Sequence, residues 1–422
     1  MTTSAVSPIS PAAPASATTL EQVAERERQF LLQTYNRYPV VLARGKGVFL
    51  YDIEGKKYLD FVSGLGVNAL GHAHPRIVKA IREQAAKLVH VSNLYYHEYQ
   101  GPLAEKLCGL AAGSSSQKFR AFFSNSGTEA IEGSIKLARL AGHRAGGEAK
   151  SRLVALEGSY HGRTFGALSL TGQEKHRKGF EPLLEDVTFV KQNDLEGLRA
   201  AVNDNTCAIV LEPIFGEGGI FECSVEFLQE CRALADRHRV ALIFDEIQCG
   251  LGRTGTIFAF QSFGVTPDIV AIAKPIAAGL PLGAFIAKEE FASAIAPGQH
   301  GTTFGGGPLA CRVALEFLAI VEDEKLLENV NKVGAYLQQQ LKDVVEKRAA
   351  AKVVRGRGFI QGIQLDIPAR PIVDEGLAEG VLFNSTQDTI VRFLPPFLME
   401  EKHVDKGIRV LKKLLGKKRK AV

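Results

Sequence analysis

The chain of 422 residues has no tryptophan and only two methionines. Its six cysteines (Cys108, Cys207, Cys223, Cys231, Cys249 and Cys311) form no C-x-x-C pair and no Cys/His cluster, which argues against a zinc site. A chain this long builds its core without disulfides, so reduced thiols and a cytoplasmic location are expected. No apolar stretch reaches the roughly 20 charge-free residues of a membrane span. The longest candidate, 269–287, is cut by Lys274, two prolines and two glycines. No basic residue precedes Arg26, so the Ser/Thr/Ala/Pro-rich residues 1–19 resemble neither a signal peptide nor an Arg-rich transit peptide; a disordered tail is expected. Excess charge of one sign is also missing from the body of the chain. The net charge is +5, but six basic residues (Lys412, Lys413, Lys417, Lys418, Arg419, Lys420) crowd the last eleven positions. Such a run is usually a solvated end, so 412–422 is read as a basic tail, and neither nucleic acid nor membrane is expected as a partner.

What is present suggests more than one domain. Glu21 to Tyr35 reads as a helix. Val48–Asp52 and Lys57–Phe61 flank Glu54-Gly55 as a hairpin. From about residue 76, short apolar runs alternate with helical patterns: Arg120–Phe123, Leu153–Leu156, Val187–Val190, Cys207–Leu211, Val240–Phe244, Ile269–Ala273 and Ala284–Ala287. Phe227, Cys231, Leu234 and Ala235 mark one amphipathic helix between them. Continuous apolar strands alternating with helices predict an α/β fold whose mostly parallel sheet is covered on both faces. Beyond Cys311 the chain is helix-rich, with 353–366 and 390–394 as strand candidates.

In such sheets ligands bind beyond the carboxyl ends of the strands, so the residues following each run carry the chemistry. Lys274 ends the run 269–273. A lysine in that much hydrocarbon either snorkels to water or becomes a nucleophilic amine. Lowering its pKa from about 10.4 to about 7 takes roughly 4–5 kcal/mol of differential solvation. After 120–123 comes Ser124-Asn125-Ser126-Gly127-Thr128-Glu129, a helix start that suits either a phosphate or an ordinary cap by Ser126 or Thr128. After 153–156 come Tyr160, able to stack on a flat ring, and Arg163, able to fork onto a carboxylate; the alternative is an exposed polar turn. After 240–244 comes Asp245, a buried acid that needs a cation, either a protonated ring nitrogen or a neighbour such as Arg253. Amine, acid, phosphate cradle, ring platform and carboxylate clamp are the groups that hold pyridoxal phosphate and an amino-acid substrate.

With these residues in place, the chain resembles the class III, fold type I, pyridoxal-phosphate-dependent aminotransferases over about 21–411. The matching segments are Ser124–Ala130, Ser159–Thr164, Glu212–Gly219, Phe244–Gly255, Asp268–Ala284 and His300–Leu309. Gly66–Pro75, Ser92–Leu94 and His300–Gly306 make it most similar to bacterial acetylornithine aminotransferases. The resemblance implies a large domain over 76–310 built on a seven-stranded sheet. It also implies a smaller α+β domain from 20–75 and 311–411. Lys274 would carry the cofactor as a Schiff base and shuttle the proton, and Asp245 would pair with the ring nitrogen. Gln248 would approach the ring hydroxyl, Ser126, Gly127 and Thr128 hold the phosphate, and Tyr160 stacks on the ring. Thr303 would reach the cofactor phosphate of the other subunit of a homodimer. Arg163, Thr302 and Arg392 would meet substrate, with Glu217 masking Arg392. The implied reaction moves the terminal amine of N-acetylornithine to 2-oxoglutarate in arginine biosynthesis; ornithine, succinylornithine and 4-aminobutyrate are the alternative donors. Phe215, Pro275 and Gly307 depart from the family's usual residues without removing a reactive group.

Overall fold

A computed structural model describes residues 19–416. Seven strands form the central sheet, in the order Phe119–Ser124, Gly283–Lys288, Ile269–Ile272, Ala241–Asp245, Thr206–Leu211, Arg152–Leu156, Val187–Val190. Gly283–Lys288 runs antiparallel to both its neighbours, and the other four pairings are parallel. The middle strands are buried along their whole length, which is why they read as unbroken apolar runs. Side chains still alternate. Ala208, Val210 and Ile243 pack with Ile131 and Ile135 of the helix Gly127–Gly146. Ile209, Leu211, Leu242 and Phe244 point the other way, toward Phe227 and Leu234 of the helix Val225–His238 and Phe317 of Pro308–Asp323. Each such Leu, Ile or Phe contributes about 1.5–3 kcal/mol when fully buried.

Two smaller sheets use the chain ends. The strands Leu42–Lys46, Phe49–Asp52 and Lys57–Asp60 are joined by Val381–Leu382, which pairs parallel to Lys57–Asp60. The other sheet is antiparallel, in the order Ala351–Arg357, Ile360–Leu365, Ile390–Phe393, Asn384–Thr386.

Three expectations need correction. The predicted helix over 21–35 stops at Phe30, because Gln33 folds back and donates to the Glu27 and Leu31 carbonyls. The single strand expected over 353–366 is a hairpin that turns at Gly358, which has φ +52°. The basic tail does not begin at 412. Lys412 and Lys413 belong to the helix Glu401–Leu415 and pair with Asp343 and Glu379 at 2.6 and 2.8 Å, while Leu411, Leu414 and Leu415 are buried. Residues 417–422 of that tail lie outside the described residues, as does the expected N-terminal tail except for Thr19, which caps the first helix.

Candidate active site

The strand Ile269–Ile272 delivers Lys274 to a cavity of about 410 Å³ at the carboxyl edge of the sheet. Lys274 adopts φ +44° and opens a 3-10 turn through Ala277. Its side chain is half-buried and has no ion-pair partner among the described residues. Burial pushes its pKa down to about 8, against the opposing pull of Glu217.

Asp245 ends its strand and lines the same cavity. Its partner is not Arg253. That guanidinium is wholly buried elsewhere, donating to the carbonyls of Phe359, Pro395 and Gly66 and lying 4.7 Å from the centre of the Phe397 ring. Instead His161 Nδ1 lies 2.7 Å from Asp245 Oδ2, both side chains buried, while the Ile247 amide donates to Oδ1 at 3.0 Å. A carboxylate can only accept, so Nδ1 carries the proton. His161 Nε2 is buried without a partner. Glu212 lines the cavity with this pair, accepting the amides of Tyr160 and Gly216 at 2.9 Å each. Burial first, then repulsion from Asp245, raises its pKa to about 7. His161 and Glu212 were missed as functional residues. Glu212 directly follows the strand Thr206–Leu211, so the strand-end rule reaches it. His161 was marked only by standing between Tyr160 and Arg163.

The phosphate-cradle segment opens the 20-residue helix Gly127–Gly146. Ser126 is the cap, its hydroxyl accepting the Glu129 amide at 3.3 Å. The cap does not use up the helix end: the Gly127 and Thr128 amides have no acceptor among the described residues, and both residues line the cavity. A Cβ on Gly127 would come 2.7 Å from the Ile247 side chain, so the absence of a side chain lets this turn pack against the one after Asp245. Gly162, at φ +138°, leaves room for the Thr128 hydroxyl, which lies 2.8 Å from that of Thr164. Tyr160 borders the cavity and meets His176 edge-on at 5.8 Å. Arg163 is exposed, 5.7 Å from the centre of the Tyr160 ring.

In the same cavity Glu217 Oε1 meets Arg392 Nη1 at 2.6 Å. Burial alone would raise the Glu217 pKa, but Arg392 and then Lys274 hold it down to about 2. Gln248 bridges the pair, donating to Glu217 at 3.3 Å and accepting from Arg392 at 3.1 Å. Arg392 also donates to Asn384, a residue the sequence did not single out.

The structure thus brings Ser126, Gly127, Thr128, Tyr160, Arg163, Glu217, Asp245, Gln248 and Lys274 to one cavity, with Arg392 behind Glu217. Thr302 and Thr303 do not line it. Thr302 touches its rim through Asn125, whose amide donates to the Thr302 hydroxyl at 3.1 Å, and Thr303 is exposed. The donor set fits pyridoxal phosphate: a desolvated amine for the aldehyde, a fixed buried carboxylate for the ring nitrogen, and two free amides at a helix start for the phosphate.

The Aminotransferase class-III family model matches residues 32–415. The acetylornithine aminotransferase of Methanocaldococcus jannaschii is 45% identical over 389 residues, covering 91% of this chain and 96% of that one. The acetylornithine aminotransferase of Aquifex aeolicus is 44% identical over 386 residues, covering 92% and 100%. Among solved structures, the ornithine aminotransferase from Toxoplasma gondii ME49 superposes with a TM-score of 0.90 at 30% identity, covering 94% of this chain and 95% of that one. The acetylornithine aminotransferase from Elizabethkingia anophelis gives 0.83 at 31%, covering 94% and 99%. Site, sheet order and relatives agree, and the chain belongs to the class-III aminotransferases, the pyridoxal-phosphate-dependent transaminases of fold type I.

Proposed function

We propose that the protein moves the terminal amine of N-acetylornithine to 2-oxoglutarate, giving N-acetylglutamate 5-semialdehyde and glutamate, as a cytoplasmic step of arginine biosynthesis. The observation that carries the transfer chemistry is Lys274 and Asp245 lining one cavity, the amine unpaired and the acid fixed. The donor rests on the relatives named acetylornithine aminotransferase.

Pyridoxal phosphate, when bound, supplies an aldehyde that takes up the amine and a ring that accepts the electron pair left when the adjacent C–H bond breaks. The residues do the rest. Lys274 Nζ would hold that aldehyde. Burial lowers the Lys274 pKa to about 8, so part of the free amine is neutral near neutral pH, and Nζ could take up and release the proton of the donor carbon. Asp245, oriented by His161, would keep the ring nitrogen protonated. Ser126, Gly127 and Thr128 would hold the phosphate, Tyr160 the ring face, and Gln248 the ring hydroxyl. Thr303 is assigned to the phosphate held by a second copy, which makes the working unit a homodimer. The large unit over 76–310 carries this machinery, and 20–75 with the chain from 311 through the helix Glu401–Leu415 form the smaller one.

The two half-reactions need different carboxylate recognition. N-acetylornithine brings one carboxylate, for Arg163, with Thr302 near the substrate. 2-Oxoglutarate brings two. Glu217, which covers Arg392 here, would stay for the first and turn away for the second.

The test is a donor panel with 2-oxoglutarate as acceptor: N-acetylornithine, ornithine, succinylornithine and 4-aminobutyrate. The highest kcat/KM is expected with N-acetylornithine. A higher value for ornithine would replace that donor with the one suggested by the Toxoplasma gondii structure. Turnover without any keto acid would replace transfer by racemisation or amine migration.

A further inference from the structure

Arg392 has one set of contacts that the covering carboxylate does not explain. The strand Asn384–Thr386 pairs antiparallel with Ile390–Phe393, and the register sets Asn384 opposite Arg392. Asn384 Oδ1 accepts from Arg392 Nε at 2.9 Å and from Nη2 at 2.6 Å. One neutral oxygen therefore occupies the whole Nε–Nη2 edge of the guanidinium. The contacts to Glu217, Gln248 and the Gly216 carbonyl all fall on Nη1. A planar fork binds a carboxylate by one edge at a time, so the occupied edge decides which one a ligand is offered.

The same hairpin holds the other half of the pair. Thr386 Oγ1 and Gln387 Nε2 donate to the Glu217 carbonyl at 2.7 and 2.9 Å. The Glu217 backbone is therefore pinned while its carboxylate, with 30% of the side chain exposed, is held by Arg392 and Gln248. A side chain held in this way can turn out without moving its loop. Asn384 stays when it does. Being an amide, it satisfies two guanidinium N–H groups without neutralising the charge, and it keeps a buried cation ready for an incoming anion.

We propose that Asn384 is a positioning residue for the acceptor half-reaction: it caps the Nε–Nη2 edge of Arg392 with an uncharged oxygen, so that the Nη1–Nη2 end of the fork takes the second carboxylate of a dicarboxylic keto acid. This rests on the reading of Arg392 as that clamp.

The experiment compares Asn384→Asp, Asn384→Ala and Arg392→Ala holoenzymes in single-turnover measurements of each half-reaction, with glutarate as an unreactive competitor. Asn384→Asp places a permanent second carboxylate on the fork. It is expected to raise KM for 2-oxoglutarate and Ki for glutarate by about tenfold or more, leaving the donor half-reaction within about twofold. That retained donor half-reaction also reports a folded site. Asn384→Ala is expected to shift the same two constants several-fold in the same direction. If Arg392→Ala selectively harms the acceptor half and both Asn384 variants leave KM and Ki unchanged, the role of Asn384 is overturned and the clamp stands. Equal losses in both halves for the Asn384 variants overturn it too, since a merely structural residue acts that way. If Arg392→Ala itself harms both halves equally, the clamp reading falls and this proposal with it.

Discussion

The two carboxylates that flank Lys274 are built in opposite ways. Asp245 is buried and accepts from a buried histidine and a backbone amide. Glu217 is partly exposed and is held by side chains whose other contacts persist without it. The first arrangement suits an acid whose job never changes during turnover. The second suits one that must be in place for one substrate and out of the way for the next. Burial alone would raise the Glu217 pKa, but the Arg392 guanidinium overrides it and keeps that carboxyl ionised at any working pH.

The largest effect should come from the group both walls serve. Lys274→Ala is expected to cost at least about 10⁴-fold in kcat, since it removes both the anchoring amine and the proton carrier. Borohydride treatment of the holoenzyme should tag position 274 in the native protein and not in the variant. On the exchangeable wall, Arg392→Ala should slow the 2-oxoglutarate half-reaction by about 10²-fold and the donor half far less, read by single turnover. On the fixed wall the loss should be symmetric. His161→Phe strands a buried carboxylate and should slow both halves by about 10- to 100-fold, whereas His161→Asn, whose amide N–H takes the place of Nδ1–H, should recover most of that. An asymmetric loss for His161→Phe would erase the distinction between the walls.

The smallest effect is one of pH. Aldehyde capture by the apoprotein needs the neutral amine, so its rate should rise with pH and level off above about 8, well short of the ordinary lysine value of 10.5. The stability sign follows. The folded chain gives up the Lys274 proton at lower pH than the unfolded chain, so this group makes the apoprotein more stable as pH rises from about 8 to 10.5. Denaturant melts of the native apoprotein and of Lys274→Met across that window should differ in slope with that sign.

The strands of the central sheet were legible because covering both faces writes each as an unbroken apolar run, and the reactive residues follow those runs directly. Lys274, Asp245 and the Ser126 helix start could be found that way. The partners could not. His161 follows the strand Arg152–Leu156, two places across the sheet from the strand ending in Asp245, and their meeting depends on a strand order that periodicity does not encode. Asn384 is opposite Arg392 only because of a hairpin register. Arg253 looked like a counter-ion for Asp245 from its place in the sequence, yet its backbone points it at three carbonyls instead. The helix end at Phe30 is set by a glutamine side chain that a hydrophobic pattern ignores.

The parallel pairing of Val381–Leu382 with Lys57–Asp60 has a consequence for biogenesis. During translation the amino-terminal hairpin emerges before the whole central sheet, but the strand that finishes its own sheet emerges after it. The central sheet, complete by Lys288, can form while that hairpin waits unfinished. A stalled or truncated nascent polypeptide would therefore carry a finished nucleus with a bare strand edge, the kind of surface that chaperones shield.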